Sequence, residues 1–102
     1  VIEGLRPPEG LGARPATTDD AGPITDLVAA CELAADGASE IDRSDIEHAI
    51  RRATIDPPAA IVVTEADRIV AWAAVHGQRA EADVHPDRRG RGIGSALLDW
   101  AE

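Results

Sequence analysis

Val84-His85-Pro86-Asp87-Arg88-Arg89-Gly90-Arg91-Gly92-Ile93-Gly94-Ser95-Ala96-Leu97-Leu98 is the stretch from which the fold can be read. A strand-like run stops at Pro86, arginines alternate with glycines, and an apolar helical pattern starts at Ile93. Glycines let backbone N–H groups come close to a ligand and adopt positive φ where a turn needs it. The start of the following helix adds unpaired N–H donors and the positive end of its dipole, about half a charge. Strand end, glycine turn and helix start together make a site for a diphosphate.

Two named phosphate loops are excluded. A Walker A loop needs G-x-x-x-x-G-K-[ST], and this chain contains no lysine. The dinucleotide fingerprint G-x-G-x-x-G fails in both frames. Ser95 holds the third glycine's place when Gly90 starts the count, and Leu97 holds it when Gly92 does.

Upstream, Arg79 to His85 alternates, with Ala80, Ala82 and Val84 on one face and Glu81, Asp83 and His85 on the other. Gly77-Gln78 reads as a tight hairpin turn before it. Ile69 to His76 and Ala60 to Thr64 are nearly continuous apolar runs joined by a turn at Glu65-Ala66-Asp67-Arg68, as expected of strands covered on both faces. Ser44-Asp45-Ile46-Glu47 has the form of a capping box opening a helix whose apolar face is Ile46, Ala49, Ile50 and Ala53. Arg51 and Arg52 suit its end, and Asp56-Pro57-Pro58 break it. An earlier helix is capped within Thr18-Asp19-Asp20, tolerates Pro23, runs through Ile24, Leu27, Val28, Cys31 and Ala34 or Ala35, and stops at Gly37. A short strand, Arg14 to Thr17, precedes it, and residues 1–13 read as an arm or linker. Downstream, Ile93, Leu97 and Trp100 or Ala101 form the core face of a last helix that reaches Glu102 without a cap. The predicted order is β-α-α-β-β-β-α.

Composition bounds the function. The 102 residues suit one small domain, and 44 % apolar content makes it globular. Much of that content is alanine, and Trp72 and Trp100 are the only aromatics, so the expected core is thin and suits a partner or a continuation. A net charge of −9 repels nucleic acid and anionic membranes. The same charge suits cationic acceptors or solubility alone. Cys31 is the single cysteine, which rules out an intrachain disulfide and thiol-supported zinc spacing, and its neighbours make it a buried apolar thiol. His76, Glu81, Asp83 and His85 lack metal-ligand spacing, and His48 reads as a surface residue. No apolar run is long enough for a membrane span and no secretory leader is evident, so the default location is the cytoplasm.

Val84-His85-Pro86 followed by Arg89-Gly90-Arg91-Gly92-Ile93-Gly94 resembles the V-x-P and [QR]-x-x-G-x-[GA] signature of the GNAT superfamily of N-acetyltransferases. The opening Arg14-Pro15-Ala16-Thr17-Thr18-Asp19-Asp20-Ala21 is also similar to that family's usual start. The resemblance covers roughly residues 13–102. It implies a GNAT-like mixed α/β sheet truncated before the fifth strand, with residues 14–102 forming the N-terminal half of the domain. The remainder of the domain or a second chain is then expected to complete the sheet.

The resemblance further implies acetyl-CoA as acetyl donor, no metal, and a small-molecule or peptide amine as acceptor. Backbone groups of Ala82 and Val84 would bond the pantetheine arm. The turn Gly90, Arg91, Gly92, Ile93, Gly94 and Ser95 would hold the diphosphate, with Arg89 or Arg91 adding charge-assisted bonds. A catalytic base is not assigned: relatives that carry Glu or His on this strand place it four or six positions before the valine, and Ala80 and Gln78 stand there. The tyrosine that many relatives use to protonate the leaving thiolate lies past the end of this sequence. The isolated 102 residues are therefore expected to bind CoA weakly and not to turn over. A non-catalytic CoA-binding or structural module is the alternative, and the missing base favours it.

Overall fold

The computed structural model describes residues 5, 9–53, 59–76, 79–88 and 92–101. Its strands are β1 (Gly12–Pro15), β2 (Ala60–Glu65), β3 (Arg68–His76) and β4 (Arg79–Val84), paired in the order β1-β2-β3-β4. The helices are α1 (Ala21–Asp36), α2 (Arg43–Arg52) and α3 (Ile93–Ala101), with 3₁₀ turns at Thr18–Asp20 and Pro86–Arg88. The predicted element order is the observed one, and every pairing among the described strands is antiparallel. Short connections between β2, β3 and β4 require that arrangement, because parallel neighbours need a long crossover.

The β2–β3 turn is two residues long, with Ala66 at φ 49° and Asp67 at φ 68°. Both are left-handed, the geometry whose twist matches the flanking strands. Past the turn the register shifts between Val63 and Thr64, so that Val70 is the extra residue of a β-bulge. The bulge puts Val70 and Ala71 in the same buried cluster although they are consecutive.

Two cores sandwich the sheet. Val62, Trp72 and Ala74 pack under Ile24, Leu27 and Val28 of α1 and Ile46 and Ile50 of α2. On the opposite face Ile61, Val63, Ala71 and Ala73 meet Ile93 and Leu97 of α3. Continuous burial of Ala60–Val63 follows from this double covering. Trp72, 2 % exposed, brings aromatic bulk to the α1/α2-side core, and the partly buried Trp100 packs against the opposite one.

Several boundaries depart from the sequence reading. β1 spans Gly12–Pro15, two residues earlier than the expected Arg14–Thr17, and Leu5 is buried in the α3-side core, against which the partly buried Leu11 and Ala13 also pack. Apolar residues of the presumed arm thus find a face to cover. Ala34 and Ala35, in the last turn of α1, are exposed; Gly37 ends the helix at φ 76° and donates its N–H to Leu33 O. The Ser44–Glu47 capping box is not formed. Asp42 is the N-cap, its carboxylate accepting from Ser44 N–H at 3.0 Å, which also holds its pKa below the ordinary value. Ile41 before that cap shares a core cluster with Ile46, the placement of a hydrophobic staple, so burial of Ile41 selects the earlier start. Glu47, released from capping, pairs with Arg43 at 3.1 Å and lies 3.8 Å from Arg51.

Candidate functional site

Among the described strands β4 stands at the edge of the sheet, and its alternation decides what it offers. His85 N–H donates to Val70 O at 2.8 Å, so odd-numbered residues of β4 direct their backbone groups toward β3. Ala80, Ala82 and Val84 therefore turn theirs outward. Val84 C=O accepts the Cys31 thiol of α1 at 3.2 Å. The side chains divide differently: Asp83 shares the α1/α2 face with its cross-strand partner Trp72, whose indole Nε1–H donates to Asp83 Oδ2 at 3.1 Å. Asp83 is thus the acceptor that lets a buried tryptophan keep its N–H satisfied.

α3 opens beside this edge. Gly92 precedes it at φ 83°, and the first intrahelical bond runs from Ala96 N–H to Gly92 O at 3.1 Å. The N–H groups of Gly92, Ile93, Gly94 and Ser95 lie ahead of that bond, where a helix leaves four donors without intrahelical partners. Gly92 has no side chain with which to cap them. A Cβ built at Gly94 meets nothing within 4 Å, so the absent side chain leaves open space rather than relieving a packed contact.

These elements line one open cavity of about 310 Å³: Ala82, Asp83 and Val84 from β4, Ile93 and Gly94 from α3, with Cys31 and Arg88 also in its wall. Ala82 and Asp83 continue into a neighbouring cavity of about 390 Å³ whose other walls include Val28, Ile41, Trp72 and Glu81. Glu81 in turn borders a third, of about 510 Å³, with Asp45, His48 and Arg52 of α2. A track thus runs from the start of α3 along the outer edge of β4 to α2.

Of the predicted site residues, Ala82, Val84, Ile93 and Gly94 line the first cavity, and Gly92 and Ser95 flank its helix start. Arg89, Gly90 and Arg91 lie outside the described residues, as do Gly77 and Gln78. Cys31 and Arg88 were not foreseen. Cys31 reads from sequence as one apolar helix position among several, and nothing local says that it reaches a strand 53 residues away. Arg88 sits one residue before the motif and is conspicuous only once its side chain is placed. Among the described residues, no group of three or more His, Cys, Asp or Glu is arranged to hold a metal ion. No helix among them is long and apolar enough to cross a membrane.

The family model described as "Acetyltransferase (GNAT) family" matches residues 24–102, and the chain belongs to that family. A mycothiol acetyltransferase from Clavibacter sepedonicus is 33 % identical over 97 residues, which are 89 % of this chain and 32 % of that protein. The crystal structure of a GCN5-related N-acetyltransferase from Sphaerobacter thermophilus superposes with a TM-score of 0.80 at 28 % identity, over 94 % of this chain and 32 % of that one. A phosphinothricin acetyltransferase from Sinorhizobium meliloti, solved in complex with acetyl-CoA, shares the fold with a TM-score of 0.68 at 19 % identity, over 87 % of this chain and 56 % of that one. The chain spans about a third of the length of the curated relatives it matches.

Proposed function

We propose that this chain carries the cofactor half of an acetyl-CoA-dependent N-acetyltransferase. The observation that carries the reading is the meeting, in one cavity, of an uncapped glycine-bearing helix start with the outward-facing backbone of a strand edge. The amides of Gly92 to Ser95, with Arg89, Gly90 and Arg91 of the preceding turn, would hold the diphosphate. Outward N–H groups of Ala82 and Val84, with the C=O of Ala82, would bond the pantetheine arm as an added strand does; the Val84 C=O already accepts from Cys31. From residue 84 back to residue 80 the edge extends about 13 Å, at about 3.3 Å per residue. Bound there, acetyl-CoA would supply the activated acetyl thioester beside Ala80–Ala82.

The acceptor amine would arrive through the adjoining cavities. Glu81 and Asp83 line them, and their negative charge favours an approaching ammonium over an anionic acceptor. Asp83 is tied to the Trp72 indole, so the exposed Glu81, together with water, is left to receive the amine proton. Likeness to acetyl-CoA-bound relatives supports the donor, and the 33 % identical mycothiol acetyltransferase makes a thiol-bearing amine one acceptor to assay.

A non-catalytic module would keep the same cradle, and Ala80, with no ionisable side chain, favours it. Calorimetric titration of the chain with CoA tests the cradle, and absence of binding overturns the enzyme and the CoA-binding module alike, leaving a structural module. Release of free CoA thiol from acetyl-CoA by the whole protein, across an amine panel, separates them: turnover supports the enzyme, binding without turnover the module.

A further inference from the structure

We infer that Arg88, outside the glycine motif, is a ligand for the carrier's diphosphate; this rests on the acetyl-CoA reading above. Arg88 lines the same 310 Å³ cavity as Ile93 and Gly94, the first two residues of α3.

The guanidinium is held from behind. Its Nε–H donates to Glu65 Oε1 at 2.8 Å, and the two side chains are 24 % and 32 % exposed. The backbone beneath is fixed as well: Arg88 N–H donates to His85 O at 2.8 Å, and Asp87 N–H to His85 Nδ1 at 3.1 Å. Nη1 makes only a long 3.4 Å contact with Asp87 O, and Nη2 has no partner among the described residues. Arginine carries five donors in a rigid fork that suits phosphate oxygens, and a restrained fork has less freedom left to lose on binding.

Two roles predict different outcomes. If Arg88 contacts the diphosphate, removing it weakens ligands that carry that group and no others. If it only neutralises Glu65, removing it harms binding through the carboxylate it leaves behind. The probes are CoA, dephospho-CoA, which keeps the diphosphate but lacks the 3′-phosphate, and pantetheine, which lacks both. The full chain is titrated with CoA and dephospho-CoA by calorimetry and with pantetheine by NMR chemical-shift perturbation.

Arg88→Ala is expected to weaken CoA and dephospho-CoA alike by about 10- to 100-fold, the range for hydrogen bonds to a charged group, and to leave pantetheine unchanged. The loss is expected to persist in Glu65→Gln/Arg88→Ala measured against Glu65→Gln, and Arg88→Lys, which keeps charge but not the fork, to fall between. Equal losses for all three ligands, loss for CoA alone, no loss, or recovery in the double variant each overturns the assignment. Should Arg88→Ala not fold, Arg88→Lys and the double variant carry the same comparison. If the unaltered chain binds CoA no better than pantetheine, the acetyl-CoA reading itself fails, which is a separate result.

Discussion

Replacing Gly94 by leucine should separate folding from binding. Gly94 is the second residue of α3, and a Cβ there meets nothing within 4 Å. Its φ lies outside the left-handed region, so a side chain adds no backbone strain. Glycine is about 0.8–1.0 kcal/mol worse than alanine inside a helix and leucine is close to alanine; near a helix end we take roughly half. Gly94→Leu is then expected to stabilise the free chain by about 0.4 kcal/mol, or about 2–3 °C in Tm for a domain of this size.

Binding should go the other way. Cα–Cβ bonds of a helix tilt toward its N-terminus, so the new side chain leans over the first-turn amides and into the 310 Å³ cavity. Denying an anion two of those amides, at about 1.5–3 kcal/mol each, corresponds to at least about 100-fold in CoA affinity. Differential scanning fluorimetry and calorimetry on the same sample read both numbers. A variant that loses more than about 1 kcal/mol of stability, against the helix-propensity gain, would show that the space at Gly94 is not open. One that binds CoA as tightly as the parent would show that the space is not the ligand's.

Two further expectations concern the scaffold that positions this site. Asp20, 7 % exposed, accepts from Arg14 Nη1 and Nη2 at 2.7 Å each and from Thr17 N–H at 2.8 Å, and the Arg14 guanidinium foremost holds its pKa below the ordinary 3.8. A depressed carboxylate pKa adds stability that is complete well above 3.8 and lost as pH falls through the folded value. Asp20→Asn is therefore expected to cost about 2 kcal/mol at pH 7, discounted for the half-exposed Arg14, with the gap from the parent narrowing below pH ~4 in urea melts; a pH-independent gap would refute the charge argument. At the β2–β3 turn, Ala66→Asn with Asp67→Gly supplies residues suited to two positive-φ positions and should stabilise by about 1 kcal/mol. An unchanged urea midpoint would contradict that turn geometry.

Much of the fold was legible because its signals are local. The apolar runs at Ala60–Thr64 and Ile69–His76, the stop at Gly37 and the periodicity of Ile93 and Leu97 each need only neighbouring residues, and each corresponds to an observed element. Errors arose where two local signals competed. Ser44 and Glu47 make a valid capping box, but Asp42 two residues earlier caps equally well, and burial of Ile41 decides between them. Leu5 and Leu11 looked like linker residues because nothing near them in sequence shows the α3-side face they cover.

The amino-acid order by itself determined the strand–glycine–helix grammar, and with it the resemblance to the acetyltransferase family to which the chain belongs. That grammar is written in backbone requirements: a proline stop, glycines for close approach, a helix start for an anion. Only the tertiary structure decided that Cys31 meets Val84, that Trp72 is answered by Asp83, and that Glu65 steadies Arg88 at the cavity wall. Those pairs join residues 53, 11 and 23 positions apart, and such partners are chosen by how the layers stack rather than by any local preference.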